Sequence, residues 1–154
     1  MAVLIDNRQN RPIPIATIRQ EAKVILNALG SPEAELSILL VGDEEIAALN
    51  RTYLNREGPT NVIAFPMQEG EFSDISPRLL GDVVISVDTA RKEAAAAGMP
   101  IGQRMAELLV HGVLHLFGYD HEAAASDAVA MERRSRSLLE LLERSDADAR
   151  RQEP

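Results

Sequence analysis

The chain has 154 residues, none of them cysteine or tryptophan, and that length serves one domain. An apolar share of 45% with 26% charged residues excludes a collagen-like, low-complexity or wholly disordered polymer. Twenty-four acids against 16 bases leave a net charge of −8, which excludes a nonspecific nucleic-acid coat, because such binding draws on a surplus of Lys and Arg facing phosphates.

Residues 3–5 form a β-prone run, closed by a polar stretch through Arg11. From Pro14 the apolar residues Ile15, Ile18, Ala22, Ile25, Leu26 and Leu29 recur at helical spacing, and Gly30 with Pro32 stops the helix. Residues 36–41 read as a strand apolar enough to be buried on both faces. Gly42 turns the chain, and Asp43 is placed to cap a helix that carries Ile46, Leu49 and Tyr53 inward. Residues 61–65 are a strand fenced by Pro59 and Pro66, neither of which can donate to a ladder. An acidic, irregular loop spans 66–78, and so long a connection in a compact domain is mobile or functional.

Residues 80–86 are a third solid strand, where Gly81 marks either a bulge or a plain strand entry. An Ala-rich helix follows, with Asp88 as its expected cap and Gly98 at its end. Pro100 opens a longer helix to Phe117, with Gly118 just past it. A last helix is expected between about Glu122 and Arg144, with Met131, Leu138 and Leu142 near one face; the polar segment 146–154 is expected to be a disordered tail. The expected fold is α+β, a single domain over 1–145, with a small mixed sheet of about four strands and about five helices. No apolar run approaches the roughly 20 residues of a bilayer span. The early charge at Asp6 and the lack of cysteine make the cytoplasm the expected compartment, with no membrane partner.

The informative segment is His111-Gly112-Val113-Leu114-His115-Leu116-Phe117-Gly118-Tyr119-Asp120-His121, which holds all three histidines of the chain. Residues four apart on a helix share a face, so His111 and His115 can converge on one ion. Gly118 suits a left-handed helix end, after which the chain can fold back and bring His121 to the same face. Three imidazoles with a fourth place left to water form an open catalytic site, and one Zn2+ per chain is the expected ion. The spacing is that of a zincin-like metal-binding helix, but peptidases of that kind carry Glu after the first His as general base. Gly112 stands there and cannot take a proton. Asp120, beside the third ligand, and Glu107, one turn before His111, are the candidate acids for orienting a ligand ring or handling the water's proton.

The histidine segment resembles the signature of the YbeY family of bacterial ribosomal-RNA maturation endoribonucleases. Leu49-Asn50-Arg51-Thr52-Tyr53 with Pro59-Thr60-Asn61-Val62-Ile63-Ala64-Phe65-Pro66 is similar to the family's second motif, and Leu80-Gly81-Asp82-Val83-Val84-Ile85-Ser86 to its third. The resemblance implies a zinc-bound endonuclease selective for single-stranded RNA, acting in ribosomal RNA maturation and ribosome quality control, with the ribosome or its small-subunit proteins as partners. It places the three ligands on His111, His115 and His121. In the family an arginine follows the tyrosine of the second motif and faces the substrate phosphate; here Leu54 stands there, and Arg56 or Arg51 is the expected replacement. The serine expected before Phe-Pro is Ala64. Arg51, Arg56, Arg91, Lys92 and Arg104 are candidates for a phosphate-binding rim. Two other readings stay open: a noncatalytic, metal-stabilised ribosome-assembly factor, and a metallohydrolase of a small molecule or peptide.

Overall fold

Strand β1 (Val3–Asn7) passes through helix α1 (Ile15–Ala28) to β2 (Glu35–Val41), and the two strands pair in parallel, with Ile5 opposite Ile38. Helix α2 (Asp43–Leu54) then leads to β3 (Val62–Pro66) and β4 (Leu79–Ser86). The remaining elements are all helical: α3 (Val87–Ala97), α4 (Ile101–Leu116) and α5 (Ala125–Arg151). The coordinates are a computed structural model that describes residues 3–67, 78–119 and 125–151. Most of the acidic loop expected over 66–78 lies outside the described residues, as do Asp120 and His121.

The sheet order is β1-β2-β4-β3. β2 and β4 pair in parallel, and β3 joins β4 antiparallel as an edge strand. Pro66 ends β3 at that edge, the one part of a sheet that tolerates a residue without an N–H. The described residues therefore form the expected α+β arrangement, a mixed four-stranded sheet with five helices.

The two faces of the sheet are covered unequally. Leu36, Ile38, Leu40, Val83 and Ile85 join residues of α1, α3, α4 and α5 in one large core. The other face has a small cluster, Val41, Ile46, Ile63 and Val84, under α2 alone. Strand β2 thus departs from the expectation of full burial: Ser37 and Leu39 point to the thinly covered face and are only half-buried. Each fully buried Leu or Ile contributes about 1.5–3 kcal/mol, so the helix-covered face supplies most of the hydrophobic stabilisation.

Three local expectations change. Gly42, not Asp43, stands at the N-cap of α2, and Tyr53 is 67% exposed rather than inward, because it lies toward the end of a helix that covers only part of its face of the sheet. Ser86, not Asp88, caps α3, its hydroxyl accepting from the Thr89 N–H at 3.1 Å. Helix α5 continues to Arg151, past the end expected near Arg144, through a run in which Ala147, Ala149 and Arg150 favour helix. Met131, Leu138 and Leu142 are buried on it, as their spacing requires.

Candidate active site

Helix α4 is buried along most of its surface: Met105, Ala106, Leu108, Leu109, Val110, Val113 and Leu114 all lie in the core. One polar stripe escapes. Arg104, Glu107, His111 and His115 are half-buried and follow one another at intervals of three and four residues, so they align on one side of the helix. Polar side chains on a helix this apolar are costly unless something answers them, and each member of the stripe is answered.

At the lower end, Arg104 bridges two carboxylates. Its Nε donates to Glu93 Oε1 at 3.0 Å and its Nη1 to Glu107 Oε1 at 2.8 Å. Burial works against the guanidinium charge, yet the bonds to Glu107 and Glu93 outweigh it and hold Arg104 above its ordinary value. Glu93, from α3, also accepts from Asn61 Nδ2 at 3.2 and 3.3 Å. Asn61 stands just before β3, so the network ties the start of that edge strand to α4 one turn before His111.

At the upper end, the Nε2 atoms of His111 and His115 are 2.9 Å apart and their rings meet edge to face. With one Nε2 donating, the other must accept, so one neutral ring carries its proton on Nδ1. The helix bearing them ends in a turn that includes Gly118, whose φ of +95° a side chain would oppose. The structure thus brings His111 and His115 together as expected; Asp120 and His121 fall outside the described residues. Among the described residues no group of three potential metal-ligating side chains forms.

Two glycines set the distance between this helix and the sheet. A Cβ on Gly112 would lie 2.7 Å from Val83 Cγ1 and 3.2 Å from Val62 Cγ2. The position where a peptidase would carry its base is therefore the contact point of α4 with β3 and β4. On β4, Gly81 has φ +145°, and a Cβ there would strike the Phe65 carbonyl oxygen and approach Leu116 Cδ2 at 3.0 Å. The register slips there, Leu79 facing Glu35 and Gly81 facing Leu36, so Leu80 is the extra residue of a bulge. The end of β3 consequently sits beside Leu116, next to His115 in the chain.

Arg56 stands on the connection between α2 and β3, exposed. Buried Asn50 positions that connection: its carbonyl accepts from the N–H groups of Asn55 and Arg56, and its side-chain amide donates to Gly58 O at 3.0 Å. Asn55 takes the left-handed conformation at the helix end. Leu54 is 42% exposed, and Tyr53 packs its ring edge-on against Phe65 at 5.6 Å.

The five candidates for a cationic rim separate into two groups. Arg104 is committed to Glu93 and Glu107, and Lys92 to Asp43 Oδ2 at 2.8 Å. Arg51, Arg56 and Arg91 are exposed and form no ion pair among the described residues. Sequence reasoning named Asn50 and Asn61 only as members of a motif, without these roles, and missed Glu93. The interval Arg104, Glu107, His111, His115 on an apolar helix was a readable signal for the stripe, whereas the partners from α3 and the approach to β3 are long-range.

The YbeY endoribonuclease family model, described as "Endoribonuclease YbeY", matches residues 4–143. A protein of that name from Geobacter sulfurreducens is 49% identical over 145 residues, covering 93% of this chain and 97% of its own length. Its namesake from Syntrophotalea carbinolica is 52% identical over 137 residues, covering 88% of this chain and 91% of its own. A solution structure from Thermotoga maritima shares the fold, with a TM-score of 0.66 over 99% of this chain and 96% of that one at 18% identity. Two converging imidazoles on a helix packed against β3 and β4 thus stand in a chain similar to named ribonucleases over almost its whole length, and the chain belongs to the YbeY endoribonuclease family.

Proposed function

We propose that this protein is a metal-dependent endoribonuclease that cuts single-stranded RNA in ribosomal RNA maturation and ribosome quality control, holding one Zn2+ per chain and working in the cytoplasm with the ribosome or its small-subunit proteins as partners. The observation that carries the metal is the pair of Nε2 atoms 2.9 Å apart on half-buried side chains. That separation is less than twice the about 2.0–2.1 Å of a zinc–imidazole bond, so both nitrogens can reach one ion. The donor set, imidazoles without cysteine, suits a catalytic rather than a structural centre. His121 is the third donor expected from the sequence.

When bound, the ion supplies Lewis acidity and a water whose proton is acidic near neutrality. The chain's own residues divide the remaining work. Glu107 shares its charge with Arg104, which weakens it as a base, and Asp120, beside the expected third ligand, is the residue proposed to take the water's proton. Gly112 takes no proton and sets the depth at which α4 lies on the sheet. Arg56 or Arg51 is proposed to meet the phosphate that Leu54 cannot.

The test is cleavage of single-stranded RNA by the purified protein with and without chelator, beside His111→Ala. Chelation and the substitution should each abolish cleavage and lower the bound metal to background. Cleavage unchanged in His111→Ala overturns the metal site. Intact RNA with a chelator-sensitive melting temperature favours the noncatalytic assembly factor instead.

A further inference from the structure

The starts of α1 and α4 and the C-terminal half of α5 enclose a cavity of about 470 Å3, which shares Glu107 with the polar stripe of α4 but is lined by neither His111 nor His115. Most of its wall is apolar, with Ile18, Met105 and Leu142 contributing. Into this wall the fold places Glu21, which is 8% exposed. Glu21 has no hydrogen-bond or ion-pair partner among the described residues, and the charge that acts on it is the like charge of Asp146. Burial and Asp146 push its carboxyl up to about 7.

An unpaired carboxylate among apolar side chains destabilises the fold, and Gln or Leu at this helix position would pack better. Glu21 therefore sits where a cation from outside would gain most. The other acids facing the cavity are Glu143 and Asp146 from α5, both exposed, and Glu107 from α4, which Arg104 already neutralises. No Lys or Arg lines it among the described residues. The site thus offers one deep carboxylate, two acids nearer solvent and methylene-covered walls between them.

We propose that this cavity binds a linear aliphatic polyamine, with one ammonium on Glu21, a second near Glu143 and Asp146, and the methylene chain against Ile18, Met105 and Leu142. The volume is that of a small-molecule site, and a bare divalent cation would leave the apolar walls unused. At pH 7 the Glu21 carboxyl is only partly ionised, and the protonated fraction loses its proton to buffer as the carboxylate accepts from the ammonium, which keeps its own three hydrogens. The proposal stands independently of the nuclease reading.

Calorimetric titration of the full chain with spermidine at pH 7, in buffers of different protonation enthalpy, tests it. One site with proton release is expected. Glu21→Gln and Glu21→Leu should each weaken binding about tenfold or more while melting at or above the parent temperature, and the exposed Asp146→Asn should weaken it severalfold without touching the core. Hexylamine, with one ammonium, should bind more weakly than spermidine. Equal affinity in the Glu21 variants overturns the site, as does reproduction of the heat by MgCl2 at matched ionic strength, which would mean screening of the −8 chain only. Hexylamine binding as tightly as spermidine overturns the two-ammonium arrangement.

Discussion

Gly112 faces Val83 so closely that a single added carbon would lie 2.7 Å from the valine Cγ1. Ala ordinarily favours a helix interior over Gly by about 1 kcal/mol, but overpacking a core costs about 1–3 kcal/mol. The second effect wins, because the obstructing atoms belong to β-branched Val83 and Val62, whose χ1 freedom is small. Gly112→Ala is expected to lose up to about 2 kcal/mol in urea denaturation. Gly112→Glu, which restores a peptidase-like sequence, should fail to fold rather than gain peptidase activity. A folded Gly112→Glu protein would show that α4 can lift from the sheet.

Much of this arrangement is legible in the chain. The interval of four between His111 and His115, with Gly118 beyond, foretells the converging Nε2 atoms and the positive-φ turn. Proline fences place β3, and the apolar run 80–86 places β4, each to within one residue. Tyr53 could not be placed from spacing, because helical periodicity says which residues share a face and not how far the covered face extends. Asp43 misled for a related reason: Asp after Gly42 looks like a cap, but its carboxylate is drawn away by Ser86, Thr89 and Lys92, which are more than 40 residues distant in sequence. The Asn61–Glu93–Arg104–Glu107 network is invisible for the same cause: its members come from the approach to an edge strand and from two helices.

Asp43 makes a prediction about acid. Its partial burial raises the carboxyl, but hydrogen bonds from Lys92, Ser86 and Thr89 lower it further and leave it at about 2, below the ordinary 3.8. A depressed acid stabilises the fold above its unfolded value and stops doing so as pH falls through the folded one. Asp43→Asn should therefore be less stable than the parent by about 1–2 kcal/mol at pH 6. The gap should close as pH is lowered from about 4 to about 2. A gap that persists unchanged at pH 2 would show that the amide geometry, not the charge, is what Asn disturbs.

Arg104 joins Glu93 and Glu107, so Arg104→Ala leaves two acids facing one another at the edge of the core. A loss of about 1–3 kcal/mol is expected, larger than for an exposed ion pair because the Arg104 side chain is only 25% exposed. Arg104→Lys should recover little of it, since an ammonium cannot present two N–H groups to two carboxylates in a fixed fork. RNA cleavage should fall together in both variants, because the network sets the turn that leads to His111. Wild-type cleavage in a destabilised Arg104→Ala protein would separate the network from the site and confine it to stability.

Leu54 supplies the sharpest test of how RNA is held. It is 42% exposed at the end of α2, beside Tyr53, at the place where the resemblance calls for arginine. Little burial is lost by replacing it, so Leu54→Arg should keep its stability to within about 0.5 kcal/mol. If this position faces a phosphate, the variant should bind single-stranded RNA more tightly. The slope of log affinity against log salt should also steepen by roughly 0.7, the value for one phosphate contact on a single strand. Arg56→Ala and Arg51→Ala, measured by the same fluorescence anisotropy, should flatten the slope in the parent if either already meets that phosphate. A parent slope indifferent to both arginines, together with no gain in Leu54→Arg, would place the RNA backbone on another side of the histidine pair.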